Sequence, residues 1–96
     1  MIDKKLTFLA SEDLEAKEAQ HKLRERYRDF GVEEANVVVA LGGDGFMLQT
    51  LKNLSAKKVS VYGMNKGTVG FLMNTFNIDN LEERIHLAKV RRADVM

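Results

Sequence analysis

A chain of 96 residues has room for one hydrophobic core and one small domain, and its 45% apolar content is that of a folded protein rather than a disordered tail. Cysteine is absent, which excludes disulfides, thiolate metal sites and a cysteine nucleophile. With 15 Lys and Arg against 14 Asp and Glu the net charge is +1, which gives no electrostatic case for nucleic acid or an anionic membrane as partner.

No apolar run nears the roughly 20 residues that span a bilayer, and Met1-Ile2-Asp3-Lys4-Lys5 is followed by no signal-peptide core, so a cytoplasmic setting is expected. Leu6 to Ala10 is a short apolar run that predicts a strand. Ser11 is placed to cap a following helix, with Glu12, Asp13 and Glu15 in a first turn that favours negative charge. Leu14, Ala19, Leu23, Tyr27 and Phe30 recur at helical spacing and predict a core-facing stripe, which Gly31 would end as a C′ glycine. The valine-rich run Val37 to Leu41 has the composition of a strand buried on both faces. Phe46 to Leu54 reads as a short helix and Val59 to Tyr62 as a third strand. Asp79 is placed to cap a last helix, with Glu82 three residues on as in a capping box. Its stripe is Leu81, Ile85 and Ala88, with Leu87 a further candidate. The order β-α-β-α-β-loop-α implies a doubly wound α/β domain: a Rossmann-like open parallel sheet with flanking helices and right-handed crossovers.

Six of the seven glycines follow two of these strands. Gly42, Gly43 and Gly45 come after the valine run; Gly63, Gly67 and Gly70 come after Val59 to Tyr62. Ligands of open parallel sheets bind outside the carboxyl ends of the strands. Glycine admits backbone N–H groups close to an anion, and a following helix adds its positive end, so phosphate is the expected guest. The familiar fingerprints fail: Gly43-Asp44-Gly45 runs on into Phe46-Met47-Leu48 with no third glycine, and no Gly-Lys-Ser/Thr triplet exists.

An aspartate among three glycines is the unusual feature. Asp44 fits three roles: helix N-cap, turn residue, or a carboxylate that takes a hydroxyl proton or holds Mg²⁺ beside a phosphate. In the second cluster Asn65 offers donors and an acceptor, and Lys66 fits either phosphate neutralisation or a solvated surface. Phe71 and Leu72 fit either the core or an apolar wall for a flat ring. His21 and His86 have no partners at metal-ligand spacing, and no metal-ligating residue is assigned.

The two blocks together, Ala40-Leu41-Gly42-Gly43-Asp44-Gly45-Phe46-Met47-Leu48 and Val61-Tyr62-Gly63-Met64-Asn65-Lys66-Gly67 with Gly70-Phe71-Leu72, resemble the NAD kinase family from about Leu6 to the chain end. Phosphofructokinases and diacylglycerol or sphingosine kinases share a block similar to the first; the second separates the families. The resemblance implies transfer of the ATP γ-phosphate to the 2′-hydroxyl of the adenosine ribose of NAD, giving NADP. It makes Asp44 the general base and lets Gly42, Gly43 and Gly45 bring the loop close to nucleotide phosphates. Leu48 and Phe71 would line the adenine pocket, with Asn65 and Gly67 shaping the facing loop. ATP with Mg²⁺ or another divalent cation, NAD as substrate, and a homo-oligomer of full-length chains are implied as well. Asn74 stands where many relatives carry an acidic residue, a change expected to preserve the geometry. The family's chains are more than twice this length, which implies that residues 1–96 are an N-terminal domain inactive without its C-terminal β domain. A fragment of a lipid or sugar kinase, and a non-catalytic nucleotide-binding module, are the alternatives.

Overall fold

The computed structural model describes residues 5–57, 59–65, 74–79, 81–87 and 91–92. Three parallel strands form its centre: β1 (Leu6–Ala10), β2 (Val37–Leu41) and β3 (Ser60–Asn65). A two-residue β4 (Asn74–Thr75) pairs in parallel with the end of β3, giving the order β1-β2-β3-β4. A two-residue β5 (Arg91–Arg92) runs antiparallel to Ser60 and Val61 at the start of β3. Neither short strand is foreseen by periodicity, because two residues carry no alternation to detect. Three helices flank the sheet: α1 (Leu14–Arg26), α2 (Asp44–Asn53) and α3 (Leu81–Leu87).

Side chains alternate across β2, so the sheet has two cores. Val37, Val39 and Leu41 face α1 and α3, where Phe8, Ala19, Leu23, Met64, Leu81 and Ile85 are buried with them. Val38 and Ala40 face α2 with Met47, Leu51 and Val61. Of the residues expected in the last helix, Leu81 and Ile85 take their predicted core positions; Ala88 and the side chains of Glu82 and Leu87 lie outside the described residues.

Four sequence expectations for the first helix are corrected. Leu14 is 73% exposed, and the buried stripe is Ala16, Ala19 and Leu23. Leu14 opens α1 out of phase with that stripe, which lets small alanines bring the helix close to the sheet. The helix also ends earlier than Phe30: Tyr27 is its extended C-cap, and Asp13 rather than Ser11 is its N-cap. Gly31 does adopt the left-handed conformation (φ 82°), but in the loop beyond and not as a helix terminator.

That loop explains the edge of the sheet. Tyr27 packs on the α1 side, and Val32 on the α2 side, so the chain wraps around the outer edge of β1. Phe30 N–H donates to Leu6 O (2.9 Å), and Gln20 Nε2 donates to Phe8 O (2.7 Å). Two carbonyls on the side of β1 away from β2 are thereby satisfied within the chain, which blunts an edge open to intermolecular pairing. With α1 and α2 on opposite faces while β1, β2 and β3 advance in one direction, the two crossovers have opposite hands, and the right-handed expectation fails for one of them. The rule concerns helices that return directly to the sheet, and this connection winds around an edge instead.

Asp29 locks the wrap. It accepts from the buried Thr7 hydroxyl (2.7 Å), from Arg24 Nε (2.7 Å) and from Gly31 N–H (3.0 Å). Burial raises its pKa, but hydrogen bonds from Thr7, Arg24 and Gly31 outweigh it and hold the carboxyl below its ordinary value of 3.8. A depressed carboxyl contributes stability above its unfolded pKa and loses it as pH falls through the folded value. Asp29→Ala is expected to lower stability by about 1–3 kcal/mol at pH 7 and to flatten the loss of stability below about pH 4. Urea melts between pH 2 and 7 check both. The ion pair itself contributes little, since Arg24 is half exposed.

Candidate active site

Hydrogen bonds continue past the strand ends and gather a rim of residues there. Ser11 N–H donates to Leu41 O (3.0 Å), Gly42 N–H to Met64 O (3.1 Å), and Phe76 N–H to Asn65 O (3.2 Å). Ser11, Gly42, Asn65 and Phe76 therefore lie side by side across the carboxyl edge. The helices that follow β1 and β2 depart to opposite faces, which opens a crevice between two neighbouring strand ends, the place where α/β sheets bind ligands.

Asp44 stands at that crevice. Gly43 is the N-cap of α2 in an extended conformation (φ −98°, ψ −174°), and Asp44 is the first helical residue. The N-cap role considered for Asp44 is thus taken by Gly43. A carboxylate in the first turn sits against N–H groups that lack intrahelical acceptors, where negative charge is stabilised.

The three glycines of the loop divide into two kinds. A Cβ on Gly42 would lie 3.1 Å from Phe46 Cβ, Phe46 Cδ2 and Ser11 Oγ, so its neighbours within the domain close over it. A Cβ on Gly43 or Gly45 would meet nothing within 4 Å, and neither has positive φ. Among the described residues no side chain packs over either position, which leaves their backbone open. Gly42→Ala is expected to destabilise by about 1–3 kcal/mol through overpacking. Gly45→Ala should stabilise α2 by up to about 1 kcal/mol, since no described residue meets the added Cβ. Thermal melts separate the two glycine roles.

The other sequence-named residues are distributed as follows. Leu48 lies on α2 and is 49% exposed, as a single surface leucine often is. Asn65 closes β3 at the rim and is half-buried. Gly67 and Phe71, with Lys66, Gly70 and Leu72, lie outside the described residues. Gly63, Met64 and Asn65, read from sequence as loop, extend β3 instead; Met64 is fully buried against α1. Asn74 Nδ2 donates to Gly63 O (3.0 Å), a bond that an ionised aspartate is unable to make, so the amide is more than a geometric substitute.

Two concavities flank the crevice. One of about 370 Å³ lies toward α1 and includes Asp13, Leu14, Ala16, Gly42, Asn65 and Phe76 in its lining. The other, about 420 Å³, is lined by Ala10, Ser11, Glu12, Phe46 and Gln49. Ser11 was read from sequence only as a helix cap and Phe76 was not singled out; the signal available for both was position, immediately after a strand. Among the described residues no three His, Asp or Glu side chains gather to hold a metal, and no helix is long and apolar enough to cross a membrane.

Comparison with known proteins agrees with this geometry. The NAD kinase of Caulobacter vibrioides is 52% identical over 85 residues, which cover 88% of this chain and 33% of that protein. That of Hyphomonas neptunium is 48% identical over 89 residues, covering 93% of this chain and 35% of the relative. That of Mesorhizobium japonicum is 51% identical over 83 residues, covering 86% and 32%. The chain thus spans about a third of the length of these relatives. Residues 2–90 match the family described as ATP-NAD kinase N-terminal domain, and the chain belongs to that family.

Proposed function

We propose that residues 1–96 supply the catalytic-loop half of a kinase that transfers the γ-phosphate of ATP to the 2′-hydroxyl of the adenosine ribose of NAD. The observation that carries this is Asp44 in the first turn of α2, beside two glycines with no neighbour of their own. Asp44 accepts the proton of the 2′-hydroxyl as its oxygen attacks the γ-phosphorus, and the bond to the bridging oxygen of ADP breaks. Backbone N–H groups of Gly43, Asp44 and Gly45 lie where phosphate oxygens gather negative charge. The resemblance assigns Leu48 and Phe71 to the adenine ring, and Asn65 and Gly67 to the facing loop.

A divalent cation accompanies ATP and neutralises its phosphates. Mg²⁺ would be held chiefly by the substrate phosphates, leaving Asp44 as the proton acceptor. The absent part of the protein orients NAD, which is most of phosphoryl-transfer catalysis, so residues 1–96 alone are inactive. The full-length protein works as a cytoplasmic homo-oligomer.

The test grafts residues 1–90 in place of the matching segment of a curated relative. The graft is expected to phosphorylate NAD and to leave its 2′-deoxyadenosine analogue untouched. Phosphorylation of that analogue, or of diacylglycerol or fructose 6-phosphate in place of NAD, would refute the assignment.

A further inference from the structure

Asp44 stands between Gly43 and Gly45, and glycine has the widest backbone freedom of any residue. A proton acceptor in such a segment depends on what packs around it, because a misplacement of about 1 Å costs about a hundredfold in rate. Main-chain bonds secure the flanks: Gly42 N–H donates to Met64 O (3.1 Å), and Met47 N–H donates to Gly43 O (3.0 Å). Among the described residues, the side-chain atoms nearest to the Cβ position of a loop glycine belong to Ser11 and Phe46, both at Gly42.

The two differ in what stands behind them. Ser11 directs its hydroxyl to Asp13 Oδ2 (3.2 Å), at the start of α1. Phe46 is the third residue of α2, and a helical side chain leans back over the turn N-terminal to its own Cα. Its Cβ and Cδ2 both lie 3.1 Å from where a Cβ on Gly42 would be, so the side chain covers the chain just before Asp44. From the other side Thr50 Oγ1 donates to Phe46 O (2.8 Å), and Thr50 is itself buried. Phe46 also packs against the core that α2 shares with Val38 and Ala40. It therefore joins a close-packed body to the bare glycine backbone, while being itself only partly buried.

We propose that Phe46 is a positioning residue: its side chain, seated on Gly42, holds the loop so that the Asp44 carboxylate meets the acceptor hydroxyl. Phe46 touches no reacting atom in this role. The proposal rests on Asp44 as the proton acceptor of the kinase reading. It makes Phe46 a residue that matters more to rate than to stability.

The test has two arms. In the graft, Phe46→Ala is expected to lower kcat for NADP formation by about ten- to a hundredfold, with KM for NAD unchanged to within about twofold. Phe46→Leu, which keeps a branched apolar side chain over Gly42, should return to within about threefold of the parent graft. In an Asp44→Asn background Phe46→Ala should have no further effect, because a residue acting through Asp44 has nothing left to position. The second arm needs no activity and follows hydrogen exchange of the 96-residue chain by NMR. Phe46→Ala should speed exchange of the Met47 amide, bonded to Gly43 O, by about tenfold more than that of the Leu54 amide, bonded to Thr50 O at the far end of α2. A rise in KM with kcat unchanged would make Phe46 a substrate contact. Equal losses of rate in both backgrounds, unfolding under assay conditions, or equal acceleration of the two amides would make it a core residue. Each of these results overturns the proposal. A parent graft that forms no NADP overturns the kinase reading instead, and the amide comparison still decides whether Phe46 holds the loop.

Discussion

Asp44→Asn is expected to lower the rate of NADP formation by about 10²–10⁴-fold, the range that a positioned general base contributes. The measurement is made in a kinase carrying residues 1–90 in place of a relative's own segment. The loss should fall on kcat, with KM for NAD nearly unchanged, because asparagine keeps the shape and still accepts a hydrogen bond but cannot take the proton. The lost interaction with the positive end of α2 amounts to about 0.3–1 kcal/mol, a shift of a few degrees in melting temperature. A fall in activity matched by an equal loss of folded protein would mean that Asp44 is a structural residue.

Phe8→Ala is expected to be the most damaging change to stability, at about 3–5 kcal/mol. Phe8 is fully buried on β1, facing α1, where Ala16 and Ala19 are too small to fill the space it would vacate. A domain of this length has a total stability of about 5–14 kcal/mol, so about a fifth or more of it would be lost. The urea midpoint should fall by more than about 1 M. The same truncation at Phe46, which is only partly buried, should have less than half the effect. Equal effects at the two positions would contradict the placement of the larger core on the α1 side.

Much of this was legible in the residues because the strongest signals are local. Val37 to Leu41 could be little other than a buried strand, and it is one. Asp44 and its glycines drew attention as a charge in a place of bare backbone, and the structure sets them at a strand end and a helix start. What escaped notice depends on contacts distant in sequence. Leu14 looked like core because leucine is apolar, whereas Ala16 makes the contact beside the predicted Ala19 and gives a weak periodic signal. Gly63 and Met64 looked like loop because glycines surround them; pairing with Ala40 and Leu41 keeps them in the sheet. The wrap of residues 27–36 around β1 depends on Asp29 reaching Thr7, 22 positions away, and no local pattern announces it.

Under the proposed function, this domain brings the proton acceptor and the phosphate-binding backbone to a reaction completed by the rest of the kinase. The most direct measurement is ³¹P NMR of the grafted enzyme with NAD, ATP and Mg²⁺. The expected result is loss of the ATP γ-phosphate resonance matched by a new phosphomonoester on the 2′ position of the adenosine ribose. Release of inorganic phosphate without that ester, or no reaction from folded graft that binds both nucleotides, would contradict it.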